Sequence, residues 1–404
     1  MSDLARLVAT HRVLVCVGSG GVGKTTTAAS LALWGVLRGQ HTAVVTIDPA
    51  KRLADCLGLS KLSLSEEPLP AETFAPYGLT PSGTLTALLV DQQSAWDAVV
   101  TRYAPTPEIR ERILENRFYQ GLSRTFAGSH EYMALDTLAT LVQRGVYDLI
   151  VVDTPPTRQA LDFLEAPQRV QRFLDSQMSK WFIQPSVMSG WAMFSAANRT
   201  ATFLMRKVED ATGISALREV TEFFTAMQGM FEDFGDRFRR VNELLTSADT
   251  AFVLVTSPEE EVLAEAEEFR VGLERLGVAL KGVVVNRVHK EWQGKGPLCK
   301  GPAALVERFR KVLHVTPANS AQLQWLAENF LAYQTLARGE GLRLEHFAHS
   351  LPAHIPLVRI PVLPAFPADL GGLLTLHGYL FGEAKPRLSR RRIQEAPRVA
   401  QEKR

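Results

Sequence analysis

GSGGVGKTTTAAS, residues 18–30, lies between the apolar runs RVLVCV (12–17) and LALWGVL (31–37). Gly18, Gly23, Lys24 and Thr25 fit the spacing G-x-x-x-x-G-K-[ST]. In a loop of that kind the backbone N–H groups wrap a polyphosphate, the lysine reaches the β- and γ-phosphates and the hydroxyl ligates Mg²⁺. The residues assigned to the nucleotide are therefore Gly18, Ser19, Gly20, Gly21, Val22, Gly23, Lys24, Thr25 and Thr26. With glycine at about 7%, lysine at roughly 6% and serine plus threonine at roughly 12%, chance supplies the pattern in only about one chain in seventy of this length. Residues 12–17 read as a short buried strand. Residues 25–37 carry small and apolar side chains with no breaker before Gly39, so a helix N-terminus is aimed at the loop.

Moving outward, HTAVVTID reads as a second buried strand ending at Asp48, where ligands gather in open α/β sheets. Asp48-Pro49 is also a common turn opener. YDLIVVD reads as a third strand, and it places Asp153 where P-loop enzymes hold an acidic group near Mg²⁺. The prolines that follow keep the next loop extended, and Arg158 lies on it. TAFVLVT predicts a further strand. The helix after it is expected to start with Ser257 as N-cap, Pro258 at its first position and Glu260 closing a capping box. LKGVVVNRV ends near Asn286, whose amide can either read an adenine edge or merely shape a turn. PLVRIPVLP predicts a last strand, followed by a short helix near Asp369. Strands alternating with helices predict an α/β fold with a mostly parallel, doubly wound sheet.

The chain has 404 residues, 46% of them apolar and 22% charged, enough for a sizeable core. Cys16, Cys56 and Cys299 have neither disulfide nor zinc spacing, which fits a reducing compartment, and the first residues lack a secretory pattern. The expected location is the cytoplasm. The net charge of +2 hides a basic tail: residues 385–404 hold eight Lys/Arg against two Glu. That tail reads either as a solvated terminus or as an arm for nucleic acid or anionic lipid. Elsewhere no basic-aromatic module makes nucleic acid a main partner.

GSGGVGKTTTAASLAL, TIDPAKRL, YDLIVVDTPPTRQALDFL and GVVVNRV, in this order, resemble the arsenical pump-driving and tail-anchored-protein-targeting ATPases. The likeness is greatest to their bacterial members with one P-loop, the anion-transporting ATPases. The resemblance implies ATP and Mg²⁺ as ligands, with the metal set drawn from Thr25, Asp48 and Asp153. It also implies Lys24 on phosphate, Asp48 orienting the attacking water in a first switch, Asp153 in a second switch and Asn286 on adenine. A nucleotide-bridged homodimer is implied as well. Three departures stand out. Ser19 occupies the position where relatives commonly carry a second lysine that reaches the partner's nucleotide. Arg158-Gln159 replaces Gly-His, and no cysteine triad for metalloids is evident. Arg158 is either a surface arginine or the group that supplies the charge Ser19 cannot.

Residues 164–248 read as helices and hold six of the eight methionines. Phe223, Met227, Met230, Phe234 and Phe238 recur at helical spacing, as either core packing or a deformable client groove. WFIQPSVMSGWAMFSAAN (181–198) is uncharged but broken by Pro185 and Gly190, which suits a lid or amphipathic loop better than a membrane span. The expected organisation is an ATPase domain of residues 1–163 and 249–384, an inserted helical subdomain of 164–248 and the tail. The expected function is Mg²⁺-dependent ATP hydrolysis that moves the helical subdomain. Its client would be an apolar or membrane-associated protein, with possible transient contact with the membrane. The rival is a nucleotide-gated scaffold with little or no hydrolysis that positions a membrane or polar partner.

Overall fold

The computed structural model describes residues 2–47, 52–59, 62, 66, 68–90, 97, 100–101, 104, 106–117, 119–120, 129–155, 161, 164–165, 231–292, 301–313, 320–365 and 367–382. Seven strands form one sheet: β1 (Val13–Val17), β2 (Thr42–Thr46), β3 (Leu85–Leu89), β4 (Leu149–Asp153), β5 (Thr250–Thr256), β6 (Leu280–Val288) and β7 (Leu357–Pro361). Their order is β3-β2-β4-β1-β5-β6-β7, and every pairing is parallel. The expected mostly parallel, doubly wound sheet is thus present.

Burial on both faces explains why these strands read as continuous apolar runs. β1, at the centre, buries all five residues of VLVCV. Val13, Val15 and Val17 join one core layer with Leu135, Leu138 and Leu141 of α5 (Ser129–Arg144), Val241 and Leu245 of α6 (Phe231–Thr246), and Phe269 and Leu273 of α7 (Glu260–Arg275). Leu14 and Cys16 face the other layer, with Leu4 and Val8 of α1 (Asp3–Thr10), Leu31 and Trp34 of α2 (Lys24–Leu37), and Leu373 and Leu374 of α10 (Leu370–Leu380). This alternation is the period-two geometry of a strand covered on both sides. The chain also forms α3 (Arg52–Cys56), α4 (Pro107–Glu115), α8 (Pro302–Leu313) and α9 (Ser320–Ser350).

Two expectations are corrected. YDLIVVD is the fourth strand, because LTALL forms β3 and pairs with β2 from Thr42↔Leu85 to Thr46↔Leu89. So short an apolar run has no periodicity that separates strand from helix. The helix after β5 begins at Glu260 with Glu259 as N-cap and no side-chain cap, so the Ser257 capping box does not form. Arg343 of α9 donates to the Pro258 carbonyl at 3.1 Å and Ser257 is fully buried, so tertiary contacts hold this turn outside the helix. The helix near Asp369 forms as expected, and the Asp369 carboxylate accepts the Gly372 N–H at 2.8 Å.

Within 164–248, α6 is helical, and its buried Val241 and Leu245 belong to the core of the sheet. Phe223, Met227, Met230, segment 181–198, Cys299 and the basic tail lie outside the described residues, as do the side chains of Phe234 and Phe238. The 31-residue α9 packs on α8 around Leu305, Val306, Leu323 and Ala327, a small cluster apart from the main core. No described helix is long and apolar enough to cross a membrane.

Candidate active site

The loop 18–23 leaves the C-terminal end of β1 and feeds α2. Gly18 has φ 148°, and a Cβ there would stand 1.9 Å from the Val255 carbonyl oxygen of β5. Gly23 is the N-cap of α2 with φ 101°, and a Cβ there would lie 2.5 Å from Nδ2 of Asn286. Both positions therefore require glycine, for backbone conformation and for close approach. No side chain caps α2, so its first-turn N–H groups face the loop together with the positive end of the helix dipole. His377 and the Leu373 carbonyl of α10 tie down Ser30 on that helix, at 3.0 and 3.3 Å.

Lys24 is 8% exposed, and its Nζ donates to the Ser19 carbonyl at 2.9 Å. Thr25 Oγ1 donates to Asp153 Oδ2 at 2.7 Å, and Thr46 Oγ1 donates to the same oxygen at 3.1 Å. Asp153 is only 1% exposed, so a charge on it depends on such donors. Thr154 ties the end of β4 to β1 by donating to the Cys16 carbonyl at 2.8 Å. Burial pushes the Cys16 thiol well above its ordinary range, and the nearby Asp153 charge pushes the same way. Burial also raises the Cys56 thiol. Neither cysteine has the lowered pKa that makes a thiol reactive.

The Asn286 amide donates to the Val22 carbonyl at 2.9 Å, and its carbonyl oxygen accepts the Arg287 N–H at 2.9 Å. The register of β6 against β7 shifts between Val285 and Val288, and Arg287 takes φ 58°. This irregularity aims Asn286 at the loop. Thr26 turns away from the loop, with its hydroxyl 3.7 Å from Cys56 Sγ. Gly20 and Gly21 are exposed and Val22 is buried. Asp48 and Arg158 lie outside the described residues.

The sequence reading missed Thr46 and Glu265. Thr46 sits inside the quoted TIDPAKRL motif, but only the pairing Thr46↔Asp153 brings it to the carboxylate. Glu265 of α7 accepts the Ser19 hydroxyl at 2.7 Å, and nothing in EEEVLAEAEEF singles it out. Chemically, the assembled set offers an uncapped helix N-terminus, one buried ammonium, two hydroxyls and one buried carboxylate at the carboxyl ends of adjacent strands. That set suits an anionic ligand carrying a hard cation.

A sequence model of the anion-transporting ATPases matches residues 11–313. A protein of Aquifex aeolicus named as an arsenical pump-driving ATPase is 25% identical over 289 residues, which span 69% of this chain and 64% of that protein. This chain thus covers less than two thirds of that relative's length. An ATPase ASNA1 homolog of Paramecium tetraurelia is 25% identical over 275 residues, 67% of this chain and 73% of that protein. The ATPase GET3 of Malassezia globosa is 25% identical over 276 residues, 68% of this chain and 72% of that protein.

Proposed function

This chain belongs to the anion-transporting ATPase family, whose activity is ATP hydrolysis, and from that premise we propose that residues 18–26 bind the triphosphate of Mg²⁺-ATP. The observation that carries the reading is Thr25 meeting the buried Asp153 beneath the uncapped start of α2. The donors fit Mg²⁺, which takes oxygen ligands and is usually held by one or two carboxylates plus phosphates. Among the described residues no three His, Cys, Asp or Glu gather as a metal cage. Thr25 would hold the ion, with Asp153 and Asp48 beside it. Once bound, it neutralises charge on the transferring phosphoryl group.

The chain's own residues do the rest. Lys24 exchanges the Ser19 carbonyl for the β- and γ-phosphates. Asp48 orients the water, Arg158 adds the charge that Ser19 lacks, and Asn286 meets the adenine edge with its second amide N–H. Lys24→Ala is expected to abolish hydrolysis and sharply weaken ATP binding, whereas Asp48→Asn and Arg158→Ala should each lower turnover at least about tenfold with binding largely kept. Calorimetry beside turnover checks this. Equal loss of affinity in Lys24→Ala and Asp48→Asn would refute the role of Asp48, and unchanged turnover in Arg158→Ala would refute that of the arginine.

The cycle is proposed to run in a cytoplasmic homodimer and to move the segment 164–248, which handles an apolar or membrane-associated protein client. Its support is composition, six of eight methionines falling within that segment. Met227→Asp with Met230→Asp should leave folding and basal turnover near normal but abolish capture of an apolar helical peptide. A collapsed melting temperature would instead assign that face to the core. Ser19, lacking the second lysine, favours a second reading as a slowly hydrolysing, nucleotide-gated scaffold. Turnover with and without apolar peptide separates the two.

A further inference from the structure

The phosphate loop is tied to the sheet at Gly18 and to α2 at Gly23, but its second residue is held from a third direction. Ser19 is 6% exposed, and its hydroxyl donates to Glu265 Oε2 at 2.7 Å. The carbonyl of the same residue accepts Lys24 Nζ at 2.9 Å. Glu265 therefore acts on the residue that sets where the ammonium rests. Among the described residues Ser19 is the side chain that donates to Glu265.

The carboxylate stands on a fixed support. α7 buries Leu263, Ala266, Phe269 and Leu273 against the sheet, and Ala266 directly follows Glu265. α9 holds the same helix and the turn before it from outside, through Ser350 on Glu267 at 3.2 Å and Arg343 on Pro258 at 3.1 Å. A hydrogen bond to an ionised acceptor is stronger than one between neutral groups.

We propose that Glu265 is a positioning residue for nucleotide binding: it holds the Ser19 hydroxyl and so fixes the loop segment whose carbonyl presents Lys24 to the phosphates. This rests on the reading of residues 18–26 as the triphosphate site. It concerns a carboxylate that touches the loop but none of the reacting atoms. In this chain the contact is made by a hydroxyl at position 19.

Two substitutions separate the acceptor from its charge. Glu265→Gln keeps a carbonyl oxygen for the Ser19 hydroxyl, Glu265→Ala removes it, and both remove the negative charge. ATP should bind Glu265→Ala about tenfold more weakly than Glu265→Gln, the loss raising KM with kcat nearly unchanged, as expected when ground state and transition state lose the same contact. On a Ser19→Ala background the two substitutions should bind ATP equally. Calorimetric titration of ATP and steady-state kinetics on the full chain read these values, with melting temperatures as a check on folding. Equal affinities of Glu265→Ala and Glu265→Gln with Ser19 present would overturn the proposal, and so would a difference that survives Ser19→Ala. Lys24→Ala serves as the control for the underlying reading: if it keeps wild-type ATP affinity the triphosphate site itself is wrong, whereas loss there with no effect at Glu265 refutes the positioning role alone.

Discussion

Thr25 at the start of α2 and Thr46 at the end of β2 both donate to one oxygen of Asp153, while Asn286 reaches the same loop from β6. Two roles are proposed for the asparagine. One amide N–H supports the loop through Val22, and the other is available for an adenine edge. Asn286→Ala is expected to weaken ATP binding more than GTP binding, measured by competition with a fluorescent nucleotide. Equal losses would leave it as loop support only. At this scale the motif made Gly18, Gly23, Lys24 and Thr25 legible, because the phosphate chemistry dictates both residue type and spacing. Asp153 was legible as an acidic strand end. Thr46 and Glu265 were not, since their roles arise from strand pairing and helix docking that leave no local pattern.

Among the elements, α7 links the loop to the outer helices. Arg270 donates to both oxygens of Glu267, at 2.7 and 3.0 Å, and also pairs with Glu274, while Ser350 of α9 donates to Glu267. The Arg270 hydrogen bonds hold the Glu267 carboxyl below its ordinary value of 4.5, against the opposing effect of partial burial. A carboxyl whose pKa falls on folding contributes stability above its unfolded pKa and loses that contribution as pH falls through the folded value. Glu267→Gln should therefore lower the melting temperature near neutral pH, and the gap to wild type should close as the pH falls through the lowered folded-state value. A gap that persists there would assign the effect to packing. The elements were legible where an unbroken run of suitable length gave a helix, as in α2, or where a cap marked its start, as in the Asp369-capped α10. β3 escaped because a five-residue run with four apolar side chains carries no decisive period, and the start of α7 was displaced by a contact from α9 that local capping rules cannot contain.

Over the whole molecule, the strand order explains why the site lies where it does. From β1 the chain moves outward to β2 and β3, returns to fill the place between β2 and β1 with β4, and then crosses to β5 on the other side. This reversal opens the crevice at the carboxyl ends of the strands, the usual ligand position in open α/β sheets. The loop after β1 and the ends of β2, β4, β5 and β6 all border it, through residues 18–23, Thr46, Asp153, Val255 and Asn286. The sequence already pointed to such a sheet and to its last strand, but not to β3 or to the α8–α9 hairpin, whose apolar residues form a cluster of their own. The central claim is that this crevice binds Mg²⁺-ATP through Thr25 and Asp153. Its most direct test is ATP turnover titrated with Mg²⁺ in the wild type and in Asp153→Asn. Turnover should require Mg²⁺ in the wild type, and in the variant the Mg²⁺ requirement should rise at least about tenfold with ATP binding retained. Turnover independent of Mg²⁺, or the same half-saturating Mg²⁺ in both proteins, would contradict that claim.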